Sequence, residues 1–360
     1  MKEQPFFTIV MPVYQAEDYI KAALHSIKVQ SFKDFELLVI EDSSPDQSAK
    51  IIAEEIKDDE RITLIRQEKN EGVSKARNLG LAKAKGKYLW YMDADDEVDN
   101  DLLQNVYNSL QKNPAKMVIF GLIEEYYDAK GNYLYNHKII PTSGYFKNRK
   151  DFRPYILALE RETLYGYVWN KVYETEFLRN KKIQFEDYQE AKFIEDILFN
   201  IKVMNDLPSL NILSIAPYHY GKRESANLTN EFTEDYFPSH KRRIEALYNQ
   251  QVYWKQDGAD TRRILGSLYG RYILSAMTRN VDKKSKMSFG ERRDFLVALY
   301  NDEIFKKLIP YGKSKNSKSL GLWLTLLKQK RIILCLLMAK GVHFAKHRMT
   351  KFYNKTKSER

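Results

Sequence analysis

The chain has 360 residues, 43% of them hydrophobic and 30% charged, with a formal net charge of +11. That length holds two or three domains with a substantial core. The single cysteine, Cys335, excludes an intrachain disulfide, and the opening Met1-Lys2-Glu3-Gln4-Pro5 has no signal-peptide core, so a cytoplasmic chain is expected.

Phe7-Thr8-Ile9-Val10-Met11-Pro12-Val13-Tyr14 reads as a strand ending in Pro-x-Tyr, and a helix follows over 17–30 with Ile20, Ala23, Leu24 and Ile27 on one face. A second strand, 35–40, runs into Glu41-Asp42-Ser43-Ser44-Pro45-Asp46. A third, 62–65, leads to Asn70-Glu71-Gly72-Val73-Ser74-Lys75-Ala76-Arg77-Asn78, and a fourth, 88–92, ends in Asp93-Ala94-Asp95-Asp96. Strands alternating with helices of about 10–15 residues predict a parallel, doubly wound sheet. Ligands of such sheets sit beyond the carboxyl ends of the strands, where each of these polar groups falls. Acids packed at the end of a buried strand repel one another, and hard oxygen ligands suit Mg²⁺ or Mn²⁺ shared with substrate phosphates. The competing reading makes these acids, with Asp99 and Asp101, the start of a following helix. No Gly-x-Gly-x-x-Gly follows the first strand and no Walker loop occurs, which argues against dinucleotide and P-loop chemistry.

Farther along, Gly166-Tyr167-Val168-Trp169-Asn170-Lys171-Val172-Tyr173 precedes Phe185 and Glu195-Asp196-Ile197-Leu198-Phe199, where an acidic pair opens a helix over 196–204. A strand near 212–215 leads to Tyr218-His219-Tyr220-Gly221-Lys222-Arg223-Glu224-Ser225-Ala226-Asn227, read as a basic loop. Helical spacing marks 236–256, 259–281 and 289–308. Pro310-Tyr311-Gly312-Lys313-Ser314-Lys315-Asn316-Ser317-Lys318 is the candidate linker. His343 and His347 share helical spacing, but without an accompanying acid they read as solvated.

The order Pro-x-Tyr, Glu-Asp-x-Ser-x-Asp, Asn-x-Gly-x-Ser-x-Ala-Arg-Asn-x-Gly and Asp-x-Asp-Asp resembles the donor half of the family 2 inverting glycosyltransferases, over residues 6 to about 100, with a looser match to about 227. The resemblance implies an α/β chain with the GT-A fold: a doubly wound, mostly parallel sheet with a C-terminal helical extension. Its transferase domain would take 1–228, with a UDP-sugar half at 1–100 and an acceptor and catalytic half at 101–228. A helical domain at 229–310 and a basic amphipathic tail at 311–360 would follow.

The same resemblance implies residue roles. Asp42 would accept the ring N–H of uracil, and Tyr14 with Pro12 would wall the base. Asn70 and Arg77 would hold the nucleotide and its diphosphate, a task that suits the planar guanidinium. Asp95 would ligate Mn²⁺ or Mg²⁺, with Asp93 on the ribose, the metal or its water shell. Asp196, beside Glu195, would be the base that takes the acceptor proton. Trp169 is expected to stack on a sugar ring or to lie in the core, and Asn170 and Lys171 to line the acceptor or diphosphate side. The loop with His219 and Arg223 would close over the donor, His219 reaching the metal or a phosphate. The implied substrates are a UDP-sugar and a lipid-linked or polymeric glycan, with polyprenyl diphosphate as carrier; teichoic acid or protein glycosylation, or a non-catalytic scaffold, are the alternatives.

Charge is uneven along the chain. From Tyr311 onward there are 13 Lys and Arg against the single acid Glu359, leaving residues 1–310 close to neutral. Two apolar runs, Leu320-Gly321-Leu322-Trp323-Leu324-Thr325-Leu326-Leu327 and Ile332-Ile333-Leu334-Cys335-Leu336-Leu337-Met338, flank Lys328-Gln329-Lys330-Arg331. Neither approaches the ~20 apolar residues that span a bilayer. The expectation is an interfacial, Trp-bearing helix on an anionic membrane at the inner face of the plasma membrane, with a homodimer interface as competitor. No nucleic-acid motif accompanies the charge, so nucleic acid is not an expected partner.

Overall fold

The computed structural model describes residues 4–223, 233–314 and 317–348, with side chains through 345. Glu224 to Asn227 of the expected lid and the basic residues from Lys351 onward lie outside the described residues. The chain forms two compact units, Met1–Asn227 and Leu228–Arg360.

The first unit is α/β. Its strands are β1 (Phe7–Val13), β2 (Phe35–Glu41), β3 (Ile62–Arg66), β4 (Tyr88–Tyr91), β5 (Glu97–Val98), β6 (Met117–Ile119), β7 (Leu122–Tyr127), β8 (Tyr133–Ile139), β9 (Gly144–Phe146), β10 (Lys171–Glu174), β11 (Leu210–Ile212) and β12 (Tyr218–Arg223). Eight make one sheet in the order β3-β2-β1-β4-β10-β6-β11-β9. The first four run parallel, joined by crossover helices α1 (Ile20–Lys28), α2 (Ser48–Glu55) and α3 (Val73–Lys83). β10 enters antiparallel between β4 and β6. Helices cover both faces of the parallel part, so β1, β2 and β4 read as nearly continuous apolar runs, and Phe7, Ile9, Leu37, Val39, Leu89 and Trp90 are fully buried.

A second, four-stranded sheet has the order β5-β12-β7-β8. The expected basic loop at 218–223 is instead β12, parallel to β7 across its whole length and antiparallel to the short β5. Its pairing partner lies about a hundred residues upstream, which no local pattern in Tyr218–Arg223 could reveal.

The second unit is helical: Tyr236–Tyr253, Ala259–Asn280, Phe289–Asn301, Glu303–Leu308, Lys318–Lys328 and Ile332–Arg348. The expected helix over 289–308 is two helices, because the Asp302 carboxylate caps a new N-terminus by accepting from Phe305 N–H at 3.1 Å. The candidate linker after Pro310 does not separate two bodies. Lys313 bonds twice with Ser267 Oγ, at 2.6 and 3.0 Å, and Lys328 Nζ donates to the Gly312 carbonyl at 2.7 Å. The Trp323 indole donates to the Gly270 carbonyl at 2.9 Å, and a Cβ at Gly270 would stand 2.4 Å from Leu324 Cδ2, so glycine sets the closeness of this helix pair. Trp323 is fully buried, which overturns its expected place in a membrane interface. His343 is half-buried, its Nδ1 3.1 Å from the Thr278 carbonyl, rather than solvated; the His347 side chain lies outside the described residues.

Candidate active site

The carboxyl ends of β1, β2 and β4, the start of α3 and the helix Glu195–Asp206 converge. Gln15 and Ser43, just past β1 and β2, take left-handed φ values of 52° and 57°, a strained conformation of the kind that clusters at ligand sites. Tyr14 is 46% exposed there, beside the half-buried Pro12, and Asn70 is exposed in the next loop. These three keep accessible surface on the side expected for the base.

Asp42 has a different occupation from the one expected. It is buried, and its carboxylate accepts the backbone N–H groups of Glu71 and Gly72, both at 2.8 Å, and the Gln67 amide. It therefore orders the loop before α3, leaving little lone-pair capacity for a uracil N–H. Gly72 takes φ 89° and ψ 160° at the N-cap, a backbone state that favours glycine, and that conformation aims its N–H at Asp42.

Arg77 is the hub of the site. One Nη donates to Asp196 Oδ1 at 2.6 Å and reaches Glu195 Oε1 at 3.4 Å; the other donates to Asp93 Oδ1 at 3.0 Å. Only 4% of its side chain is exposed, and its Nε has no partner. The guanidinium is thus committed to three carboxylates rather than free for a diphosphate. The three carboxylates are more open than the guanidinium they share: 28% of Asp93, 12% of Glu195 and 20% of Asp196 side chains are exposed. Burial raises the proton affinity of Asp196 and Glu195; for Asp196 the Arg77 charge opposes that rise. Both open their helix, where the dipole favours negative charge.

The acids after β4 divide by role. Asp96 is buried and accepts from Tyr218 Oη at 2.8 Å and from Gly221 N–H at 3.0 Å, so it ties β12 to β4, and burial holds its pKa well above the usual range. Half of the Asp95 side chain is exposed; burial of its carboxyl and the nearby Asp93 raise its pKa, against the Arg223 charge 3.7 Å away. Arg223 also donates to the Asp95 carbonyl at 3.0 Å and lies 4.1 Å from the Tyr19 ring centre.

Among the described residues no three acids, histidines or cysteines stand together as a metal cage. Asp93 and Asp95 still suit a divalent ion of the kind that takes one or two carboxylates and completes its shell from substrate phosphates and water. The Asp93 charge helps raise the Asp95 pKa, and both side chains keep accessible surface, so they fit that use.

The expected acceptor residues are mostly structural. Trp169 is buried between Tyr167 and Tyr218, with ring centres at 4.5 and 4.3 Å, so the core reading holds and no face remains for a sugar. Asn170 and Lys171 are fully buried. Lys171 Nζ donates to the Leu164 carbonyl and Asn170 Oδ1, each at 2.7 Å, and to the Tyr167 carbonyl, and burial pushes its pKa down to about 7. It braces the 164–170 loop and lines no substrate surface. His219, on β12, is bridged by Glu125 at 2.8 Å and Asp99 at 3.1 Å; burial disfavours its charge, but these two acids outweigh burial and raise its pKa. Its two nitrogens are taken, so it does not serve as a metal or phosphate contact.

Sequence reasoning missed Tyr218 and Asn78. Tyr218 also accepts from Asp93 N–H at 3.3 Å, and Asn78 makes a paired bond with the backbone of Phe185, both at 2.9 Å. Asn78 stood in a quoted motif. Tyr218 opens the Tyr218–Asn227 segment, but no role was read for it there because its partners Asp93 and Asp96 lie more than a hundred residues upstream. A separate cleft beside β9 and β11 is lined by neutral groups such as Asn105, Ser109 and Asn211, and holds none of the acids above.

Comparison with known proteins points to one family. The family model described as "Glycosyl transferase family 2" matches residues 8–180. An uncharacterized glycosyltransferase of Haemophilus influenzae is 32% identical over 203 residues, covering 55% of this chain and 74% of its own length. The poly(ribitol-phosphate) beta-N-acetylglucosaminyltransferase TarS of Staphylococcus aureus is 25% identical over 287 residues, 78% of this chain, and the chain spans about half of it, 46%. The crystal structure of TarS 1–349 in complex with UDP superposes with a TM-score of 0.62 at 20% identity, covering 95% of this chain and 91% of that one; its UDP-GlcNAc complex gives 0.60. At that identity the likeness speaks for the fold.

Proposed function

The chain belongs to glycosyl transferase family 2, as a glycosyltransferase with a GT-A fold, and from that premise we propose that it moves a hexosyl or N-acetylhexosaminyl group from a UDP-sugar, with inversion, to a hydroxyl of a surface-glycan acceptor. One observation carries the reading: a single buried guanidinium joins the acid at the end of β4 to the Glu195-Asp196 pair, Asp93 at 3.0 Å and Asp196 at 2.6 Å. A displacement at an anomeric carbon needs a donor-side group and a base on opposite sides of the sugar, held at fixed spacing. Asp196 is the base, placed by Arg77 and by its helix. Asp93 and Asp95 would hold the divalent ion. When bound, Mn²⁺ or Mg²⁺ supplies a Lewis acid against the negative charge that builds on the departing diphosphate. Tyr14, Pro12 and Asn70 face the base and ribose, and Arg223 lies beside the diphosphate end.

The acceptor is a lipid-linked or polymeric glycan. The teichoic-acid alternative gains from one relative, whose name gives poly(ribitol phosphate) and N-acetylglucosamine. A non-catalytic scaffold would have no use for ionisable acids held with a buried charge between them. The test is a panel of UDP-sugars, UDP-GlcNAc first, assayed for binding and hydrolysis with and without Mn²⁺. Asp196→Asn is expected to keep donor affinity and to lose transfer by about 10²–10⁴-fold, the range for removing a positioned base. Asp95→Ala is expected to lose metal-dependent donor binding. Transfer at the wild-type rate by Asp196→Asn would overturn the assignment.

A further inference from the structure

The last described helix, Ile332–Arg348, is amphipathic in a way the packing of its own unit does not use up. Cys335, Leu336 and Ala339 are buried against the other helices of that unit. On the opposite side Ile333, Leu334, Leu337 and Phe344 are 55%, 48%, 59% and 55% exposed. Their spacing places them in one stripe, Ile333, Leu337 and Phe344 almost in line and Leu334 at its border. Four large apolar side chains together on an exposed face mark a surface that something covers.

The surroundings say what covers it. Lys330 and Arg331 stand exposed at the start of the helix, and Lys340 is exposed within the stripe. The sequence contains no acid between Glu303 and Glu359. On the packed side Asp282 meets His343 at 3.9 Å. A second copy of the same face would bring these cations against their own counterparts, whereas an anionic bilayer offers both an apolar boundary and the opposite charge. Among the described residues no helix is long and apolar enough to cross a membrane. We propose that this stripe lies on an anionic lipid surface, with Leu337 and Phe344 entering the boundary of the acyl region and Lys330, Arg331 and Lys340 meeting the headgroups. The occupant is a membrane surface, reached by the last helix and not by the helix that carries Trp323. The inference goes beyond the transferase reading and does not depend on it.

The experiment uses the full chain with vesicles of phosphatidylcholine, with and without phosphatidylglycerol, in a sedimentation assay. The chain is expected to bind the anionic vesicles, to ignore the zwitterionic ones, and to release as salt rises. The exposed pair Leu337→Ser with Phe344→Ser should weaken binding by at least about tenfold, since both side chains lose their transfer from water. The melting temperature and any donor hydrolysis should stay close to the wild type, because each side chain is more than half exposed. Equal binding to both kinds of vesicle, or none to either, would overturn the proposal. So would a lipid-free dimer that the same double variant turns into a monomer, because the stripe would then be an interface between copies.

Discussion

Arg77 couples what it holds. Burial raises the proton affinity of Asp196 and the Arg77 charge opposes that rise, so the acid limb of the transfer rate should lie above the ordinary aspartate range. Arg77→Gln removes the opposing charge, and the limb is expected to move to higher pH. Arg77→Lys should move it less while losing the fork that joins Asp93 to Asp196. A profile of kcat/KM against pH checks this; a limb that does not move would detach Arg77 from the base. Stability follows the same sign. Asp196 and Glu195 bind protons more tightly folded than unfolded, so their contribution is fullest at low pH and is lost as pH rises through the raised values. The motifs made Arg77, Asp93 and Asp196 legible as important but not their union, since Arg77 and Asp196 lie 119 residues apart in sequence. Asp42 and Lys171 misled because buried polar groups that brace loops use the same residue types as groups that bind ligands.

At the scale of elements, the parallel half was readable because its strands are short apolar runs cut by turn chemistry, and each crossover helix carries its own spacing. The second sheet was not. β12 is built from polar and aromatic residues whose pairing with β7 is fixed by distant chain, and β8 is almost wholly exposed, so neither carries the apolar alternation of a half-buried strand. The start of α3 lends itself to a test at this scale. Gly72→Ala would place a side chain at φ 89°, a conformation costing about 1–3 kcal/mol for other residues, and would loosen the Gly72 N–H from Asp42. The expected result is a melting temperature lowered by a few degrees and weaker UDP binding, while Asp93 and Asp196 remain intact. Calorimetry and nucleotide titration would read the two effects separately. Unchanged nucleotide affinity in a destabilised variant would confine the Asp42 loop to a structural role.

For the whole molecule, charge and hydropathy gave opposite guidance about the last fifty residues. The apolar runs looked like a surface helix beside a basic one, yet the first run is core: Trp323, Leu324 and Leu327 are buried, and the Gly270 contact leaves no slack around them. A Trp in an apolar stretch is ambiguous by sequence because burial and interface both suit a large ring with one polar atom, and only the partner of the indole N–H decides. Here that partner is a backbone carbonyl in the middle of a neighbouring helix. Trp323→Ala should therefore cost about 3–5 kcal/mol and lower the melting transition of the helical unit. The Leu337→Ser and Phe344→Ser changes on the exposed stripe should leave that transition in place. Donor binding by Trp323→Ala at a temperature where it is folded should match the wild type, since every proposed donor contact lies before residue 224. Scanning calorimetry of both variants beside a UDP titration makes the comparison. If Trp323→Ala melts like the wild type while shedding anionic vesicles, the ring faces lipid rather than Gly270, and the packing of this helix pair is wrong.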